Sequence, residues 1–260
     1  MEPLRLIRHS FPDQPELSTA ISRTILRRVA AGELPPTIRI HRPGNEVAFG
    51  RQDLASPGYE AAAAAARATG FAAVERLAGG RAAVFHRGTI AFARAYADPR
   101  PPKRTYARFE GMADLIADAL RGLGVDARVG EVPGEYCPGA YSVNARGATK
   151  LAGIGQRMIR GAAHMGGVLV ASGGREIARV LEPVYAALEL EWDPATSGSV
   201  SEELGREVDP GELEEALIAE LAGRYELVDS ELDQETMRLA SELVEAEGAT
   251  PSAESRPGSS

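Results

Sequence analysis

The sequence predicts an α+β domain, with a largely antiparallel or mixed sheet flanked by helices. Three observations predict it. In some segments apolar residues recur at helical spacing, as at Leu17, Ala20, Ile21, Ile25, Leu26 and Val29. Other segments are short apolar runs bounded by glycine, proline and asparagine. Near the middle, three such runs follow one another with only Arg-Gly and Gly-Gly signals at their ends, a pattern that fits hairpins better than helical crossovers.

Along the chain, Pro15 to Leu34 reads as the first helix. "PPTIRIHR" and "NEVAFGRQD" read as strands around the turn residues Pro43, Gly44 and Asn45. "SPGYEAAAAAARATG" is a helix with Ser56 as N-cap, Pro57 in the first position and Gly70 past the end. "FAAVERL" and "AAVFHRGTIAFARAY" are strands with Gly79 and Gly80 between them. A helix from Thr105 to Leu123 closes at Gly124, and "DARVG" is a strand. "GAYSVNA", "TKLAGIGQRMIR" and "AAHMGGVLVAS" are the three consecutive strands. "GREIARVLEPVYAAL" is helical, and so is the chain from Ser199 through "GRYEL", where Asp209-Pro210 starts a closing helix over 208–224. This gives a main domain over 1–228, a C-terminal helix over 229–247, and a small, polar, proline-bearing tail over 248–260 that is expected to be disordered.

Composition narrows the function classes. No run of about 20 apolar residues occurs, so no membrane-spanning helix is expected. The N-terminus lacks a signal-peptide core. One cysteine agrees with a reducing compartment, and a cytoplasmic protein is the expectation. The net charge is −8. Residues 201–260 carry −13, leaving +5 on the first 200. That body favours an acidic partner or a phosphate-bearing ligand. Scattered basic residues and 5% aromatics do not suit nucleic acid. Four dispersed histidines and one cysteine give no metal-ligand spacing.

Two segments can carry chemistry. In "RLAGGRAAVFH", two glycines between strands let backbone approach a ligand, and Arg76 and Arg81 offer planar guanidinium groups to a carboxylate or phosphate. His86 is either a polar contact or base, or a satisfied core histidine. The second segment, "EYCPGAYSVNARGATKLAGIGQR", holds Cys137, the one cysteine, and Lys150, one of two lysines among 27 arginines. Cys137 sits in a Pro-Gly-flanked loop, where it is either a nucleophile activated by a nearby cation or a small packing residue. Lys150 is either a point charge on a carbonyl or phosphate oxygen or a snorkelling strand lysine.

Together and in this order, these segments resemble the lipoate–protein ligase and octanoyltransferase family, related to biotin–protein ligases. The resemblance covers roughly Pro15 to Leu227. It rests most on the Arg-x-x-Gly-Gly segment ending in Val-Phe-His and on Lys-x-x-Gly-x-x-Gln-Arg. It implies the biotin/lipoate-ligase-like catalytic fold with a short C-terminal helical extension. It also implies transfer of an octanoyl or lipoyl group to a lysine of a carrier, either a lipoyl domain of a 2-oxoacid dehydrogenase or the glycine-cleavage H protein. Arg76, Gly79, Gly80 and His86 match the segment lining the acyl channel. Lys150 matches the lysine at the acyl carbonyl or activated phosphate, with Gly153 and Gln156 beside it.

There are departures. Glu75-Arg76-Leu77 keeps one of the two arginines usual in the ligases, and Arg87-Gly88-Thr89 replaces their Asp-x-Gly-Asn. In the branch most similar to this chain, a loop cysteine before the lysine carries the acyl group as a thioester, and Cys137 fits that place. Three readings remain open. The first is a cysteine-dependent transferase with no tightly bound cofactor, for which acyl carrier protein is one donor. The second is a ligase that makes lipoyl-AMP with ATP and Mg2+. The third is an inactive relative that binds carriers. Glu135 and His86 both stand as candidate bases for Cys137.

Overall fold

The computed structural model describes residues 1–248. The chain opens with a strand, β1 (Glu2–Ile7), then helix α1 (Pro15–Ala30) and strands β2 (Thr37–His41) and β3 (Glu46–Phe49). A one-turn helix, α2 (Arg51–Leu54), precedes α3 (Tyr59–Ala68), β4 (Ala72–Glu75), β5 (Ala83–Phe85) and β6 (Thr89–Ala97). Next come α4 (Thr105–Gly122), β7 (Ala127–Val129), β8 (Val143–Ala145), β9 (Thr149–Ile159) and β10 (Ala162–Val170). The chain continues through α5 (Gly174–Ala187), α6 (Val200–Leu204), α7 (Pro210–Arg224), β11 (Tyr225–Asp229) and α8 (Gln234–Gly248). The tail expected to be disordered falls, apart from its first residue, outside the described residues. Among the described residues no helix is long and apolar enough to cross a membrane.

The strands form two sheets. The larger has the order β11-β1-β2-β6-β10-β9-β8-β7, and the smaller has the order β4-β3-β5. The three central strands of the sequence, β8, β9 and β10, pair as successive antiparallel neighbours, as their turn signals predict. The sheets are nevertheless mixed: β1 is parallel to both β11 and β2, and β3 is parallel to β4.

Four local expectations are corrected. β2 and β3 are not partners across the Pro43–Asn45 turn but lie in different sheets. "AAVFHRGTIAFARAY" breaks at His86–Gly88, because Thr89 Oγ1 donates to the His86 carbonyl (2.8 Å) and accepts from its amide (3.2 Å), closing a turn. Ser56 does not cap α3. Its hydroxyl accepts from the Gly58 amide in a preceding turn (3.3 Å), and the helix starts at Tyr59. "YEL" after α7 is not helical but the start of β11, whose register pairs Glu2 with Tyr225. Asp209 does cap α7, accepting from the Gly211 amide at 2.6 Å.

Three apolar clusters hold these layers. α4 and α7 bury Ile116, Leu120, Leu213 and Leu217 on one face of the large sheet, against Leu4, Ile38, Ile40 and Ile90. On the other face α1 places Ile21, Ile25 and Val29 against Ala95 and Ala162, and α8 adds Ala240 to the same cluster. The small sheet packs Val47, Phe49 and Val84 on α3 and α5. The Cys137 loop lies where the small sheet and its helices meet β9, with Tyr136 fully buried and Cys137 packed at its edge.

Candidate active site

Between the small sheet and the β9–β10 strands is a cavity of about 410 Å3. Ligand pockets run from about 300 to 1,000 Å3 and are mainly apolar with a few placed polar groups. This one fits that description. Phe85, Phe109, Tyr141, Ile154 and Met158 supply apolar wall, and Arg76, Cys137 and Lys150 supply the charge and the nucleophile.

Cys137 is held in an uncommon conformation, with φ at +43°, a region that non-glycine residues seldom enter. Its amide donates to the Tyr185 hydroxyl at 2.8 Å, and that hydroxyl donates to the Ala82 carbonyl at 3.0 Å. The α5 tyrosine thus ties the cysteine loop to the segment after Gly79-Gly80. Sγ accepts two hydrogen bonds, from Arg76 Nη2 at 3.3 Å and from the Arg81 amide at 3.2 Å. Burial pushes this thiol up. The charges of Arg76 and Lys150, with the two hydrogen bonds, more than offset it, and the net shift is below the ordinary thiol value.

A buried carboxylate fixes the second of these donors. Arg81 Nη1 reaches Asp53 Oδ1 at 3.2 Å, and Oδ2 of the fully buried Asp53 accepts from the Gly50 amide at 3.0 Å. Gly80 sits at φ +109°, and a Cβ there would collide with the Arg76 guanidinium and stand 2.9 Å from Sγ. Gly80 is therefore what lets backbone come up to the thiol.

Lys150 projects from β9 and is 1% exposed. Its Nζ donates to the carbonyls of Tyr136 (2.9 Å) and Cys137 (2.8 Å) and to Glu135 Oε1 (3.2 Å). All three of its donors are used, and two of them hold the strained loop. Glu135 is fully committed as well. Oε1 also accepts from Ser142 Oγ and the Gly139 amide, and Oε2 accepts from the Val132 amide. It builds the loop and does not face the thiol as a base.

Seven of the eight residues singled out from the sequence line the cavity: Arg76, Gly79, Gly80, Cys137, Lys150, Gly153 and Gln156. His86 is not brought there. Its Nδ1 accepts from the Gly88 amide at 3.0 Å, Glu176 lies 3.8 Å away, and its Nε2 is buried without a partner. Burial lowers its pKa, with Glu176 opposing. Neither candidate base therefore addresses Cys137. Gln156 borders the cavity, but its amide faces α4: Oε1 accepts from Arg108 Nε at 2.6 Å, and Arg108 is in a buried ion pair with Asp98 at 2.7 Å. Asp53 and Tyr185 are absent from the sequence reading. Each lies on a helix remote in sequence from both motifs, and no local pattern marks either.

A family model for the lipoyl protein ligase A/B catalytic domain matches residues 14–222, a stretch that contains every residue of the cavity. The chain belongs to this family. An octanoyl-[GcvH]:protein N-octanoyltransferase of Geobacillus kaustophilus is 31% identical over 144 residues, 55% of this chain and 50% of that protein. A protein of the same name from Bacillus velezensis is 29% identical over 216 residues, 78% of this chain and 75% of that protein. The matched stretch thus spans half the length of the first relative and three quarters of the second. In three dimensions the chain is similar to protein Ta0514 of T. acidophilum, assigned as a lipoate protein ligase and solved with bound lipoic acid. The TM-score is 0.73 at 20% identity, over 95% of this chain and 96% of that one. Lipoate-protein ligase A bound with ATP gives 0.71 at 20% identity, over 94% and 95%. At such identity these two show the shared fold, which is the one the resemblance implies.

Proposed function

We propose that this protein is a cysteine-dependent acyltransferase that moves an octanoyl or lipoyl group onto a lysine of a lipoyl-type carrier domain. The observation that carries the reading is Cys137 itself: a strained residue whose Sγ is held by Arg76 and the Arg81 amide, beside Lys150. The relatives named as octanoyl-[GcvH]:protein N-octanoyltransferases support it and point to the glycine-cleavage H protein as donor or acceptor. Lipoyl domains and acyl carrier protein are the further partners.

The geometry supports the following steps. The Cys137 thiolate attacks the acyl carbonyl of the donor. Lys150 exchanges its bond to the Cys137 carbonyl for one to the developing oxyanion. The acyl–donor bond breaks, and the donor leaves as a thiolate, or as an amine after taking a proton from solvent. The acceptor lysine, as free amine, then attacks the Cys137 thioester. The C–S bond breaks, Arg76 receives the thiolate again, and the amine's proton passes to solvent. Each step exchanges one acyl bond for another, so no nucleotide or metal is consumed.

Intact-protein mass spectrometry tests this with octanoylated H protein or octanoyl-acyl carrier protein as donor. A hydroxylamine-labile adduct of one octanoyl group, absent in Cys137→Ala, is expected. If no adduct forms, and a lipoyl domain is modified only with octanoate, ATP and Mg2+, the protein is a ligase and the reading fails.

A further inference from the structure

Most arginines of the N-terminal region are matched by carboxylates from the acidic stretch 201–260. Arg5 and Arg28 pair with Asp233, Arg8 and Arg42 with Glu214, and Arg23 with Glu247. Part of the −13 of residues 201–260 is therefore counter-charge to α1 and its neighbours.

One pocket breaks the pattern. It has a volume of about 200 Å3, and Arg23, Arg27, Arg51, Arg76 and Arg157 line it with a single acid, Glu75. Among the described residues, no carboxylate comes within 4 Å of Arg27, Arg51 or Arg157, and their guanidinium groups make no hydrogen bond to the protein. Arg28, on the same helix as Arg27, has two carboxylate partners. The Nε of Arg76 is buried without a partner. Like charges gathered around one small volume repel one another, and a bound anion with several oxygens turns that repulsion into attraction. Guanidinium forks match a phosphate particularly well.

The pocket shares Arg76 with the acyl cavity, and the same guanidinium donates to Cys137 Sγ. We propose that this arginine-walled pocket is a phosphate-binding site beside the acyl cavity, filled either by free phosphate or by a phosphate carried on the acyl donor. The donor-borne case rests on the thioester reading above, whereas phosphate binding itself does not.

Two measurements on the full chain decide it. The first is titration with inorganic phosphate, followed by calorimetry, for the wild type and for Arg27→Gln/Arg51→Gln. Both residues are exposed, so the variant keeps its fold. Saturable binding weakened roughly tenfold or more for each arginine removed is expected. Arg157→Gln, on β9, serves as a second variant. No saturable binding by the wild type, or equal binding by all three proteins, overturns the proposal. The second compares kcat/KM for octanoyl-phosphopantetheine and octanoyl-pantetheine, thioesters that differ only in the phosphate. A preference for the phosphorylated donor that disappears in the double variant assigns the site to the donor. Equal use of both, with phosphate binding still lost in the variants, assigns it to free phosphate. If neither thioester acylates Cys137, the donor-borne case falls, while the calorimetry still decides the phosphate site and octanoylated H protein still tests the cysteine reading.

Discussion

The Cys137 loop and the His86 turn each put one potentially catalytic side chain in an irregular segment between strands, although the sequence reads His86 as part of a continuous strand. The fold treats them oppositely. Around Cys137, two donors reach Sγ, a buried lysine stands nearby, and a cavity opens beside them. Around His86, the ring packs against Gly88 and Gly173, one nitrogen is spent on the turn and the other reaches nothing. A nucleophile is made by the charges that converge on it, and residue type alone does not supply them.

This comparison can be broken at either end. The larger effect is expected at Lys150. Lys150→Met removes the cation paired with the fully buried Glu135 and the donor to two carbonyls of the strained loop, a change that costs about 3–5 kcal/mol. For a domain of this size that is roughly 10 °C in unfolding midpoint, read by scanning calorimetry. Transfer should fall by about 10²–10³, the loss typical of one oxyanion donor. Lys150→Met/Glu135→Gln separates the two roles: stability should recover in part while transfer stays low. Recovery of transfer along with stability would mean that Lys150 only holds the loop.

A smaller effect is expected at His86. His86→Asn should cost stability within the usual range for a buried polar change, about 0.5–3 kcal/mol. The kcat and KM for acyl transfer should stay unchanged, because the ring neither lines the cavity nor touches Sγ. A fall in kcat without a fall in midpoint would place His86 in the reaction after all.

Much of the site was legible because its parts are local. Gly79 and Gly80 sit where two strands meet, Cys137 lies between two Pro-Gly signals, and Lys150 stands out in a chain with two lysines. What escaped is set by distant contacts. β1 and β11 are paired strands more than 200 residues apart, and "GRYEL" continues a helical pattern until Tyr225 meets Glu2 across the sheet. Asp53 matters through Arg81 and Tyr185 through the Cys137 amide, both links between elements far apart in the chain. His86 was misplaced for the opposite reason. Its motif was matched, but the turn closed by Thr89 aims the ring away from the cavity.

The central claim is that cations, rather than a base, make Cys137 a thiolate. The rate of Cys137 alkylation by iodoacetamide against pH tests this most directly, and the absence of any other cysteine makes the signal unambiguous. The alkylation midpoint should lie below the ordinary thiol value of about 8.5. A lowered pKa keeps the thiolate as pH falls towards neutrality, and Arg76→Gln, which removes the largest lowering charge, should move the midpoint up. A wild-type midpoint at or above the ordinary value, or one that Arg76→Gln leaves in place, would contradict the account.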